Sequence, residues 1–258
     1  MQGGSVLPPC RVEADGSMTI LSVTDLAISF GSNHVLNRVN FELNDCEVLG
    51  VIGPNGAGKT VMLDIITGLL KPTAGKIIYM GEDITNKSLY DRCRMGLGRT
   101  FQIPRPFEQL TAYENIMVGG IFGDGLSQKA AGQKAAEILE FTGLYSKSAT
   151  FAGKLGLLDR KRLEIGVALA SDPKMLLLDE VAGGLTESEV VDILEIVVKL
   201  KNGGVSIIWI EHVLKTMLEG TDRVMCLAQG RDIICGLPAD VMASKEVTEV
   251  YLGADEDD

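Results

Sequence analysis

The sequence predicts an α/β fold with a parallel sheet and flanking helices, on three observations. A strand-like apolar run over 48–52 passes through the glycine-rich segment 53–60 into a stretch of helical periodicity. A second apolar run, 175–178, leads into another helical stretch and then a third run, 205–210; strand, helix, strand in that order implies a parallel crossover. Hydrophobic residues at 46% and charged residues at 23% let a chain of 258 residues bury a sizeable core as one large domain or two joined lobes.

The elements follow in order. Residues 1–17 carry glycine, proline and polar residues without periodicity and are read as a tail, tag or alternative start. From 18 to about 56 the pattern is strands with turns between them: TILSVTDLAISF, a turn at GSN, VLNRVNFEL, then VLGVI. This predicts an antiparallel β lobe at the N-terminus. After Gly58, the residues Val61, Met62, Ile65, Ile66 and Leu69 recur at helical spacing, and GKIIYMG reads as a further strand. Composition turns helical between about 87 and 172, which predicts an inserted helical lobe. Residues 186–201 put Val190, Ile193, Leu194, Val197 and Leu200 on one helical face. A hairpin around Gly230 and a short helix through Tyr251 and Leu252 close a single domain over 18–253. Residues 254–258 form an acidic tail.

Charge and composition narrow the function. Lys plus Arg is 24 against 35 for Asp plus Glu, a formal charge of −11 that repels a phosphate backbone, so nucleic acid is not an expected partner. No run reaches the ~18 apolar residues of a membrane span, and the first residues lack the pattern of a secretory signal, so a cytoplasmic location is expected. Five cysteines with no C-x-x-C spacing indicate neither a zinc site nor a disulfide framework. Cys226 and Cys235, which a hairpin brings opposite each other, are read as reduced small hydrophobes.

The chemistry concentrates in four places. Gly53, Pro54, Asn55, Gly56, Ala57, Gly58, Lys59 and Thr60 fit G-x-x-x-x-G-K-S/T between a strand and a helix, the setting in which that pattern cradles phosphates. Its glycines let backbone N–H groups turn inward, Lys59 reaches the β- and γ-phosphates, and the Thr60 hydroxyl is a Mg²⁺ ligand. Asp179 and Glu180 end an apolar strand. The first is placed to meet the metal, and the second to polarise an attacking water. His212 ends the strand VSIIWIEH, and parallel neighbours bring their carboxyl ends to one sheet edge, near the γ-phosphate. Gln102 in GRTFQ offers an amide to both metal and water.

GPNGAGKT, the Gln102 loop, LLLDE and IEH, in this order and at these separations, resemble the nucleotide-binding subunit of an ATP-binding cassette transporter, over about residues 19–253. GRTFQIPRPFEQLTAYENI, DRKRLEIGVALASDPKMLLLDE and the ending Tyr251, Leu252, Gly253 are similar to the ATPases of branched-chain amino-acid and related urea or amide importers. The resemblance implies a P-loop NTPase core, ATP and Mg²⁺ as cofactors, and Phe30 as an adenine-stacking ring. It also implies membrane permease subunits, a second cassette ATPase, an external solute-binding protein met indirectly, and a place on the inner face of the cell membrane.

The sequence departs from that family at several points. The signature L-S-G-G-Q aligns with Leu155, Gly156, Leu157, Leu158 and Asp159, so the serine, the last glycine and the glutamine are missing. Val181 stands where proline is usual, Thr186 where aspartate or asparagine is common, and Val61 in place of a second hydroxyl. Two readings of residues 155–159 stay open. In one the segment weakens a composite site shared by two cassettes, which favours a heterodimer over a homodimer. In the other Asp159 N-caps the helix DRKRLEI while Arg160, Lys161 and Arg162 offset its charge. The expected function is ATP hydrolysis that drives a separate permease. The alternatives are a regulatory subunit with weak hydrolysis and a soluble cassette protein without a transport role.

Overall fold

The computed structural model describes residues 18–252. Among them the chain forms two compact units, one of residues 18–92 with 206–252 and one of residues 93–205.

In the first unit, β1 (Thr19–Phe30) pairs antiparallel with β2 (Asn33–Asn44), as the turn at Gly31 predicts. Strand β3 (Val48–Ile52) is buried along its whole length and leads into α1 (Lys59–Thr67). Beyond it, β4 (Ala74–Tyr79) pairs antiparallel with β1 and with the short β5 (Glu82–Asp83), completing the predicted antiparallel lobe. The helix α2 (Leu89–Arg94) follows.

Helix α1 buries Met62, Ile65 and Ile66, as its periodicity predicts, but Leu69 is 47% exposed. Gly68 ends the helix first: it takes φ 85° and its N–H donates to Ile65 O, the left-handed stop that favours glycine. The buried Arg92 guanidinium then donates to Ile65 O and Ile66 O, both at 2.7 Å, which satisfies carbonyls that the helix end leaves open.

The second unit begins with a short strand, β6 (Leu97–Arg99), followed by α3 (Ala112–Gly123), α4 (Gln128–Phe141) and α5 (Leu157–Leu169). A Cβ on Gly119 would lie 2.7 Å from Val167 O, so only glycine lets α3 approach α5 this closely. Strand β7 (Met175–Asp179) is buried throughout and pairs parallel with β6. Helix α6 (Glu187–Asn202) buries the five predicted residues Val190, Ile193, Leu194, Val197 and Leu200. Thr186 caps it: Thr186 and Glu189 exchange hydrogen bonds as a capping box, which gives that departure from the family a structural use.

The chain then returns to the first unit. Strand β8 (Ser206–Ile210) pairs parallel with β3; after α7 (Leu214–Gly220), β9 (Arg223–Ala228) pairs parallel with β3 on its other side. Strand β10 (Arg231–Gly236) closes the hairpin with β9, and α8 (Pro238–Met242) and α9 (Lys245–Leu252) end the described chain. Cys226 opposes Ile234 rather than Cys235, and both thiols are free. Among the described residues no helix is long and apolar enough to cross a membrane. The tails read as 1–17 and 254–258 lie outside the described residues.

Candidate active site

Each unit carries its own group of the predicted residues. In the first, the phosphate loop leaves the end of β3, and the parallel register of Val51 with Ile210 brings the end of β8 to the same edge. Loop and His212 therefore emerge side by side. Gly53 takes φ 147°, and a Cβ there would fall 1.9 Å from Leu227 O, so no other residue fits. Gly58 is the N-cap of α1 at φ 100°, where a Cβ would press to 2.6 Å on Leu36 Cδ2. Both glycines are required by packing as well as by turn geometry.

Lys59 is only 7% exposed, and its ammonium donates to Gly53 O at 2.7 Å and Pro54 O at 2.9 Å. These carbonyls hold the cation within the loop, where anionic phosphate oxygens are stronger acceptors and can replace them. Asn55, Gly56 and Ala57 line a pocket of about 630 Å³ with Pro54, and Thr60 is exposed in the first turn of α1. Phe30 ends β1 with its ring 51% exposed, free to offer a face to a flat ligand. His212 is exposed, and its backbone N–H donates to Oε2 of the buried Glu211 at 3.3 Å. Sequence reasoning missed one member of this group: the N–H of Gly53 donates to Tyr251 Oη at 2.9 Å.

In the second unit, β6 and β7 run parallel with Arg99 opposite Leu177, so Thr100 to Gln102 leave the sheet beside Asp179 and Glu180. The Gln102 amide donates to Glu180 Oε2 at 2.6 Å. Asp179 is 1% exposed, and its Oδ2 is 3.2 Å from Arg99 Nη2, an ion pair buried on both sides. Removing either partner of such a pair strands a buried charge. Glu180 takes φ 50°, a left-handed conformation that costs a non-glycine residue about 1–2 kcal/mol. Its carbonyl accepts from Gly183 N and from Lys161 Nζ, which fixes that turn.

Burial pushes the Glu164 carboxyl up to about 7, against the hydrogen bond from Phe101 N–H and the nearby Lys161 charge, which act to lower it. Arg99 and Glu164 were not singled out from sequence, and Lys161 was read only as offsetting the charge of Asp159. Arg99 sits in GRTFQ directly before the residues that were read, and the other two follow the signature segment on the same helix.

The structure corrects the helix-cap reading of residues 155–159. Gly156, not Asp159, is the N-cap of α5, and no side chain caps it. Asp159 lies inside the first turn, 8% exposed, and pairs with Lys147 and, at 3.9 Å, with Arg162. Arg160 instead donates to Leu155 O and Gly153 O, and Lys161 to Gln102 O and Glu180 O, so neither neutralises Asp159 as expected. Leu155 is buried, Gly156 and Leu157 are exposed, and Leu158 is half-buried.

In the second unit Asp179 and Gln102 offer a carboxylate and an amide oxygen, and in the first Thr60 offers a hydroxyl; each is an oxygen donor of the type that Mg²⁺ takes. Among the described residues no group of three or more His, Cys, Asp or Glu side chains could hold a metal.

Residues 36–183 match the family model described as ABC transporter. The lipopolysaccharide export system ATP-binding protein LptB of Haemophilus influenzae is 34% identical over 236 residues, 92% of this chain and 98% of that protein. The probable branched-chain amino acid transport ATP-binding protein LivG of Archaeoglobus fulgidus is 35% identical over 248 residues, 92% of this chain and 96% of that protein. A crystal structure of the ADP conformation of an ATP-binding cassette from an ABC transporter superposes with a TM-score of 0.84 at 33% identity, covering 92% of this chain and 100% of that one. The chain belongs to the ABC transporter family and is one of its ATP-binding cassette ATPases.

Proposed function

We propose that this chain is the ATPase subunit of a branched-chain amino-acid type importer, seated on the inner face of the membrane against permease subunits. The observation that carries the chemistry is the Gln102 to Glu180 contact of 2.6 Å beside the buried Asp179. It sets a carboxylate able to polarise water next to a metal-binding one. Lys59 and the amides of residues 53–60 bind the phosphates, Phe30 stacks on adenine, and His212 senses the γ-phosphate. Thr60, Asp179 and Gln102 would hold Mg²⁺, which when bound would offset the negative charge that develops on the phosphates. Chain residues do the rest: Gln102 orients Glu180, and Glu180 takes a proton from water.

The amino-acid assignment is supported by LivG-named relatives, among them that of Escherichia coli, 34% identical over 252 residues. The altered segment 155–159 supports a second, different cassette as partner, since Gly156 has no hydroxyl to offer a γ-phosphate. An external solute-binding protein is reached only through the permease. The relative named for lipopolysaccharide export supports a second reading in which the cargo is a lipid. Reconstituting the chain with the membrane subunits that co-purify with it decides between them. ATP-dependent uptake of leucine that stops with Lys59→Ala supports the importer, whereas membrane subunits that move only lipid overturn it.

A further inference from the structure

Helix α5 reaches the Gln102 and Glu180 pair through two side chains on one face, three residues apart. Lys161 is 3% exposed, and its ammonium donates to Gln102 O at 3.1 Å and to Glu180 O at 2.7 Å. One cation thus bridges the backbones of two residues 78 positions apart whose side chains are also bonded. Glu164 accepts the N–H of Phe101, the residue before Gln102, while its buried Oε2 has no hydrogen-bond partner. That oxygen stays buried and unsatisfied in a half-buried residue, a cost that a surface role would not require. The Gln102 segment lies in irregular backbone between β6 and α3, so the ladder of a sheet does not hold it.

We infer that Lys161 and Glu164 are positioning residues: from the helix that carries residues 157–159, they clamp the Gln102 segment and the Glu180 turn so that amide and carboxylate meet in the reactive geometry. Neither touches the reacting atoms. The inference rests on the roles given above to Gln102 and Glu180.

Steady-state ATPase assays of the full-length chain with Mg-ATP test it. Lys161→Met, of similar length but without donors, should lose about tenfold or more in kcat with KM for ATP within about twofold, because misplacing a reacting group costs rate rather than binding. Lys161→Arg should recover part of the loss. Glu164→Met should lose about tenfold, and Glu164→Gln, which keeps an acceptor for Phe101 N–H, clearly less. The Glu164 pair keeps the test open if Lys161→Met does not fold. Wild-type kcat in both methionine variants overturns the clamp. So does a loss that the conservative variants do not rescue and that rises in KM as much as it falls in kcat. Glu180→Gln assayed alongside separates the two readings. If it is slow while the methionine variants are fast, the clamp alone falls; if it is fast, the site reading falls and takes the clamp with it.

Discussion

The side-chain amide of Gln102 donates to Oε2 of Glu180 at 2.6 Å, although the two residues follow the ends of different strands. The contact exists because β6 and β7 are parallel and end together. Gln102→Ala removes this donor from the carboxylate. We expect kcat to fall about 10- to 100-fold with nucleotide affinity nearly unchanged. Equilibrium binding of a nucleotide beside initial-rate assays checks this, and an equal loss in affinity would place Gln102 in binding instead.

Lys59→Ala should abolish ATP binding, since it removes the loop's side-chain cation. It should also cost the unliganded protein about 1–3 kcal/mol, because Gly53 O and Pro54 O lose a charged donor. Urea unfolding without nucleotide measures the second effect; an unchanged midpoint would mean that the loop does not depend on its lysine for shape.

The phosphate loop, the carboxylate-ended strand and the buried face of α6 were legible because each is a local pattern, with chemistry and periodicity packed into a dozen residues or fewer. Gly53 and Lys59 announce themselves by spacing. Arg99 does not: β6 has only three residues, too few to show a period, and its ion pair with Asp179 crosses 80 positions. Tyr251 reaches Gly53 across 198 positions. One of the two readings open for residues 155–159 makes Asp159 a cap because it is an acid before a helical run, but Gly156 starts the helix three residues earlier, and tertiary partners hold the acid.

Gly156→Ser bears on the altered signature. The position has φ −68°, and a Cβ there meets nothing within 4 Å, so serine fits. As N-cap it should stabilise α5 by a few tenths of a kcal/mol relative to glycine. If the missing hydroxyl limits one half-site, turnover of the chain with itself should rise by about tenfold, as restoring one transition-state donor allows. An unchanged rate would remove the hydroxyl from the explanation.

Glu164 makes stability depend on pH. Its carboxyl is raised from 4.5 to about 7, so between those values the folded state binds the extra proton and stability falls as pH rises. Glu164→Gln carries no such charge. The variant should therefore gain on the order of 1–3 kcal/mol relative to wild type between pH 5 and pH 8. Urea melts at the two pH values measure it, and a difference that does not change with pH would contradict the burial effect.

The central claim, that Glu180 activates water for ATP hydrolysis, is tested most directly by measuring ATP binding and turnover of Glu180→Gln on the same preparation. The account predicts wild-type affinity for Mg-ATP with hydrolysis slowed by about 10² to 10⁴, the loss of a positioned base. Turnover at the wild-type rate with intact binding would contradict it.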